Sequence, residues 1–187
     1  MTDQNAKHEW ETGLIGGPEK RDITQAPYNP HWAEIFASHR QVIATSIGRV
    51  ARRIEHIGST AVPGLAAKPI IDILLVVRDS GDEDVYLPAL LACGYILRVR
   101  EPDFQEHRML RTMEKDVHIH VFSEGSPEID RYLVFRDWLR DHPSERDAYA
   151  NLKQDLAKQD WDDMNAYADA KTGFIEAILK KARSIDA

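Results

Sequence analysis

Residues 56–77, HIGSTAVPGLAAKPIIDILLVV, join a turn of small residues to an almost wholly apolar run. An apolar run of this length without alternation is a strand buried on both faces, central in a sheet. One carboxylate, Asp72, interrupts the run. A lone charge in such a strand is costly unless something compensates it. Either the strand lines a cleft at Asp72, or the carboxylate caps a nearby backbone group.

Upstream, VARRIEHIG (residues 50–58) is a second strand candidate, and Ser59 can cap a short helical turn after it. From Pro30 to Ile47, Trp32, Ile35, Phe36, His39, Val42, Ile43 and Ser46 recur at helical spacing, and Gly48 closes that helix. Residues 84–93 form another helix, ended by Gly94. YILRVRE, EHRMLRT and DVHIHVFS follow too closely for helices between them, so antiparallel pairing is expected. From Ser126 the pattern turns helical. A serine cap, Pro127 and Glu128 open SPEIDRYLVFRDWLRDH, Pro143 opens PSERDAYANLKQDLAKQ, and DDMNAYADAKTGFIEAILKKA is the last helix. The order specifies an α/β (α+β) domain, a mixed sheet flanked by helices, with a helical C-terminal third from about residue 126. Residues 1–21 read as a flexible or loosely docked arm, because GLIGGPEKR is too rich in glycine and charge for a regular element. Residues 22–187 then make one domain.

The 187 residues suffice for a single substantial core. A net charge of −7 excludes general nucleic-acid or anionic-membrane binding, which need a basic surface, although a local basic patch can still hold one phosphate. Cys93, the only cysteine, lies in LLACGY and reads as a small core residue; with no disulfide available, a reducing compartment is expected. The polar first residues lack a signal-peptide core, and no apolar run approaches membrane-spanning length, so the expectation is a cytoplasmic protein.

Gly58-Ser59-Thr60, about a dozen residues before a strand aspartate, is a phosphate-and-metal spacing. Turn amides and a serine hydroxyl can hold phosphate oxygens, and a carboxylate on the next strand can hold a divalent ion bridging them. The alternative is structural, with Ser59 capping the turn and Asp72 a backbone group. Alternation places His118 and His120 on one face of their strand and Val117, Ile119 and Val121 on the other. If the histidine face meets Asp72, two imidazoles and a carboxylate suit Zn²⁺, Mn²⁺ or Fe²⁺, with His56 a fourth candidate. The competing reading is two strand histidines hydrogen-bonded to neighbours. Arg98 and Arg100 are expected to share a strand face near Arg108 and Lys115, and His107 or Arg108 to enter the site. An arginine there binds phosphate or carboxylate bidentately, or else simply solvates a strand face. Tyr149 and Lys153 are four apart, as are Tyr167 and Lys171, so each pair stacks on one helix face where a helical subdomain can close over a ligand.

YNPHWAEIF, IEHIGSTAVPGLAAKPIIDI, VHIHVF and FRDWLRDHP together resemble the GrpB-like family, over residues 26–179. That family is similar to the nucleotidyltransferase superfamily, a mixed sheet flanked by helices. The superfamily's site joins a Gly-Ser turn, paired acidic residues on the next strand and a third on a later strand. The resemblance implies Gly58 and Ser59 for the turn and Asp72 for the first carboxylate. The chain departs from the pattern twice. Leu74 stands at the second acidic position, and His118 and His120 stand where a third carboxylate is expected. Two-metal transfer needs carboxylates to neutralise and space its ions, so reduced or altered catalysis is expected.

The implied function is binding of a nucleotide or phosphorylated small molecule by Gly58, Ser59, Thr60, Lys68 and Arg108. Asp72, His118 and His120 are then the catalytic and metal-holding residues, with a divalent ion (Mg²⁺, Mn²⁺ or Zn²⁺) as cofactor and His56, Lys153 and Lys171 beside them. Whether the chain is a nucleotidyltransferase-like transferase stays open. Two other readings stand beside it. One is a non-catalytic interaction or folding-assistance module with a protein partner, as in family members fused to dephospho-coenzyme A kinase. The other is a metal-dependent hydrolase using Asp72, His118 and His120.

Overall fold

An apolar strand buried on both faces needs a neighbour on each edge and cover above and below. β2 (Ile71–Val77) has both. β1 (Arg53–Ile57) pairs antiparallel on one edge and β5 (Val117–Ser123) pairs parallel on the other. β4 (His107–Arg111) and β3 (Ile96–Glu101) continue antiparallel beyond β5, giving a mixed sheet of order β1-β2-β5-β4-β3. The computed structural model describes residues 13–17, 19, 24–159, 161 and 164–185.

Ile71, Ile73, Leu75 and Val77 point to one face, covered by α1 (His31–Ile47) and α2 (Leu87–Ala92) through Trp32, Ile43 and Leu90. Leu74 and Val76 point to the other, where Phe122 and Leu133 of α3 (Pro127–Asp141) complete a second cluster. Every β2 residue except Asp72 is at most 4% exposed. Each such side chain contributes about 1.5–3 kcal/mol by leaving water. Leu74, at the expected second acidic position, is therefore core. The cluster beneath α3 stops short of Asp72, His118 and His120, which line a cleft instead.

α4 (Pro143–Ala157), α5 (Met164–Asp169) and α6 (Thr172–Ile185) complete the helical third. A third cluster of Val62, Leu65, Leu139 and Tyr149, with Phe174 against it, ties the segment after β1 to α3, α4 and α6. Ser126 caps α3 as expected, accepting from the Glu128 amide at 3.4 Å with Pro127 at the helix start.

Several local expectations are corrected. Cys93 is exposed, because α2 spends its inward positions on Leu90 and presents residues 91–94 to solvent. Ile35 and Val42 are also exposed, flanking a narrower inward stripe of Trp32, Phe36, Ile43 and Ile47. The last helical stretch divides into α5 and α6 around residues 170–171. Of the expected arm, residues 1–12, 18 and 20–21 lie outside the described residues, but residues 13–17 dock beside β3. Leu14 bridges Val99, the Ile15 amide donates to the Arg98 carbonyl and the Arg100 amide donates to the Gly13 carbonyl, both at 2.9 Å. Among the described residues no helix is long and apolar enough to cross a membrane.

Leu74→Ala is expected to lower the unfolding free energy by about 2–5 kcal/mol, because it removes a filled volume that the strand on either side cannot collapse into. Urea denaturation with an unchanged slope is the check.

Candidate functional site

The register of β2 against β5 sets Asp72 opposite His118, and alternation brings His120 to the same face. The β1–β2 connection then returns a glycine turn onto the carboxylate. Gly58 has φ +72°, and a Cβ there would lie 2.6 Å from Asp72 Oδ2. Only glycine allows both that backbone angle and that approach. Ser59–Ala61 form one 3₁₀ turn, with Gly58 rather than Ser59 at its cap position. The expectation that Ser59 caps the turn is thus corrected: its Oγ accepts from Lys153 Nζ at 3.0 Å. Three residues align too few peptides for a strong helix-terminus field. Positive charge in the cleft comes instead from lysines and arginines.

His118 Nδ1 and His120 Nε2 lie 3.5 and 3.6 Å from Asp72 Oδ1. Burial raises the Asp72 carboxyl, but the two imidazoles outweigh it and hold the group well below the usual carboxylate range. Asp72 is therefore ionised. One ligand atom from each of the three residues lies within 4.8 Å of the others. Bonds of about 2.0–2.2 Å around a tetrahedral ion separate its ligand atoms by about 3.4 Å, so the donor set fits a metal.

The neighbouring side chains order the imidazoles. His107 Nδ1 meets Glu101 Oε2 at 2.7 Å, and His107 Nε2 meets His120 Nδ1 at 3.2 Å. Burial pushes the His107 ring down, outweighing Glu101, so it is neutral. Its Nδ1–H then donates to the carboxylate, and its Nε2 accepts from His120 Nδ1–H. His120 Nε2 is thereby aimed at the same Asp72 oxygen that His118 Nδ1 approaches. Carboxylate–histidine support of this kind is the usual second layer of a metal site.

The helical third supplies cations. Lys153 on α4 is 3% exposed, donating to Ser59 Oγ and, at 2.5 Å, to the Ala66 carbonyl, with its ammonium 5.0 Å from the Tyr149 ring centre. Lys171 stands 4.2 Å from the Tyr167 ring centre. Burial, and then repulsion from Lys171, lowers Lys153 to about 7. Burial also lowers Lys171, to about 8, with Lys68 adding to the shift and Asp72 opposing it. Lys68 and Thr60 complete this end of a cleft of about 420 Å³.

Two expected site residues lie elsewhere. His56 pairs with Ile73 in β2, so it faces α1 and stacks on Phe36 at 4.8 Å between ring centres. Thr60 Oγ1 donates to the Ile70 carbonyl at 2.9 Å, so the 3.0 Å contact from His56 Nε2 is an N–H donation to that hydroxyl. Burial first, then Arg140 and Arg136, pushes His56 down to about 4 against Asp72. It is a neutral strut for the turn, not a fourth ligand. Arg108 also faces away, bonded to Glu83 at 2.6 Å and to Glu106 at 3.2 Å. Arg98 and Arg100 do not share a face. The register shift between Leu97 and Val99 turns Arg98 into the cleft while Arg100 joins Arg108 on Glu83.

The arginines that do enter are Arg98 and Arg111. Arg111 pairs across the sheet with His118, so period-two alternation through EHRMLRT carries its signal. Glu101, Gln25 and Glu19 carry no comparable sequence signal. The places of Gln25 and Glu19 depend on long-range packing, and that of Glu101 on the β3–β4 hairpin register.

The family model for the GrpB protein matches residues 22–181 of this chain. A UPF0157 protein of Halalkalibacterium halodurans is 49% identical over 167 residues, 89% of this chain and 86% of its own length. A dephospho-CoA kinase of Mycolicibacterium paratuberculosis is 25% identical, with 96% of this chain covering 52% of that protein. Among solved structures, the crystal structure of conserved protein GrpB from Enterococcus faecalis matches with a TM-score of 0.76 at 34% identity. That match covers 85% of this chain and 96% of the other.

Gly58→Ala is expected to cost about 1–3 kcal/mol in backbone strain and to displace Asp72, moving the His118 and His120 imidazole resonances. Gly64→Ala, at φ +79°, is the comparison, because the atoms nearest its Cβ belong to the Arg146 guanidinium and those resonances are expected to stay in place.

Proposed function

The chain belongs to the GrpB family, and we propose that it binds a nucleotide or another phosphorylated small molecule in the cleft between the sheet and the C-terminal helices. The observation that carries this reading is the charge of the cleft. Lys68, Arg98, Arg111, Lys153 and Lys171 line it against Asp72 and Glu19, in a chain whose net charge is −7. A positive cleft in an acidic protein concentrates anions.

Ser59 Oγ and Lys153 Nζ receive a phosphate oxygen. Two of the three lysine donors already go to Ser59 and Ala66, so the third is aimed by its partners at the ligand. Thr60 keeps the turn in place through His56 and Ile70. Asp72, His118 and His120 hold a divalent ion, and two nitrogens with one oxygen favour Zn²⁺ or Mn²⁺ over Mg²⁺. Such an ion supplies charge neutralisation for phosphate oxygens. Ile57, Met109 and Tyr132 give the remainder of the ligand an apolar wall. With Leu74 in the core, the chain lacks the second carboxylate that two-metal transfer uses, so binding with reduced or altered chemistry is the reading adopted. The half-length match to a dephospho-CoA kinase favours a second reading, a helper domain for a protein partner. It predicts that Asp72→Ala leaves function in the cell unchanged.

Thermal unfolding across a nucleotide panel with Mn²⁺ or Zn²⁺ is expected to shift upward for the wild type and not for Asp72→Ala. A flat panel for the wild type removes the proposal. Affinity for sulfate, whose own charge is constant, is expected to depend on pH. Lys153 and Lys171 titrate near 7 and 8, below the ordinary lysine value, so they lose charge as pH rises through those values. Sulfate binding by calorimetry should weaken by about tenfold between pH 7 and pH 9, with a flatter profile for Lys153→Met.

A further inference from the structure

We propose that the end of the cleft where Arg98 and Arg111 meet Glu19 is a second oxyanion subsite, which takes a carboxylate or phosphate group of the ligand in place of the Glu19 carboxylate. The inference deepens the binding reading above and rests on it for the identity of the cleft. It implies a ligand with two anionic groups, one for Ser59 and Lys153 and one for Arg111.

Arg111 is 7% exposed, and its Nη1 and Nη2 donate to the two Glu19 oxygens at 2.9 and 2.8 Å. Among the described residues its buried Nε has no hydrogen-bond partner. A planar guanidinium offers five N–H donors, and leaving one buried and unmatched is costly. Lys115 Nζ reaches the same carboxylate at 3.2 Å, and Arg98 approaches it within 4.0 Å. One carboxylate thus stands beside Arg111 and Lys115, with Arg98, which donates to the Ile15 and Gly17 carbonyls, close by. A second oxyanion with more oxygens or charge answers them better, and among the described residues the neighbouring His118 Nε2 is likewise buried without a partner.

The carboxylate comes from outside the cleft's own framework. Arg98 and Arg111 lie within residues 22–181, the span matched by the family model, and Glu19 precedes it. The Leu14–Val99 bridge and the backbone bonds around Ile15 hold the first part of that segment to β3. Gly16 and Gly17, at φ +84° and +79°, separate the bridge from Glu19. Arg98 donates to the Ile15 and Gly17 carbonyls and holds the segment as far as Gly17, so the Glu19 side chain beyond it can yield its place while Leu14 stays docked. Glu19 is, in these terms, a resident stand-in for a ligand oxyanion.

The test is calorimetric titration of the full chain with inorganic phosphate and with acetate. Glu19→Gln is expected to bind one of them at least about tenfold more tightly than wild type, since a competing charge-assisted bidentate pair is removed. The anion that gains identifies the group. The gain should vanish in Glu19→Gln/Arg111→Lys, where bidentate geometry is lost and the charge kept, and persist in Glu19→Gln/Lys153→Met. No gain for either anion overturns the subsite. A gain that survives Arg111→Lys but disappears with Lys153→Met also overturns it, by placing the anion at Ser59, and leaves the binding reading intact. A flat nucleotide panel together with a gain that depends on Arg111 removes the binding reading and leaves the subsite standing.

Discussion

The parallel pairing of β2 with β5, in a register that sets Asp72 opposite His118, is the constraint from which the site follows. β2 is apolar on both faces, so one carboxylate at its start is the single charge the sheet centre must accommodate. The α3 cluster covers Leu74, Val76 and Phe122 and leaves the earlier positions to the cleft. The same register supplies two imidazoles to Asp72 and, through β4, places Arg111 next to His118. A shift of one residue in that pairing would turn Asp72 to the opposite face from the two imidazoles.

Around this centre the chain holds its polar groups by paired support. Glu101 and His107 order His120 from the far edge of the sheet. His56, on the opposite face, orders Thr60 and with it the turn against Asp72. Arg136 and Arg140 add donations to the His56 and Ala61 carbonyls, which fixes α3 to the same loop. Each contact ties an element of the core to the lip of the cleft. The rigidity of the site is therefore borrowed from the fold.

The charge arrangement runs against stability. A lysine pushed down to about 7 by burial holds a proton less readily than in water, and a second lysine beside it adds repulsion. Leu or Met at those positions would satisfy packing at lower electrostatic cost. Cations retained in such a place are usually explained by an anion that visits them. Glu19 on Arg111 meets part of that demand from within the chain, which is why the two ends of the cleft call for different experiments.

Much of the architecture was legible in the residues themselves. An unbroken apolar run forces β2 to the centre, short spacing between three extended stretches forces antiparallel pairing, and Ser126-Pro127 opens a helix with its own cap. Period-two alternation likewise put His118 and His120 on one face, and spacing of four put each lysine over its tyrosine. Local periodicity records which residues share a face; it does not record which face meets which. His56 and Arg108 were assigned to the site from proximity in sequence, yet alternation across β1 and β4 turns them to the α1 side. A bulge between Leu97 and Val99 separated Arg98 from Arg100, and no local pattern announces a bulge. Glu19 and Gln25 reached the cleft by packing between distant segments, while Glu101 met His107 across the β3–β4 hairpin. The sequence by itself determined the strands, the caps and the paired donors. Only the tertiary structure decided which of them converge, because convergence is a property of register and layer order that pairs residues far apart along the chain.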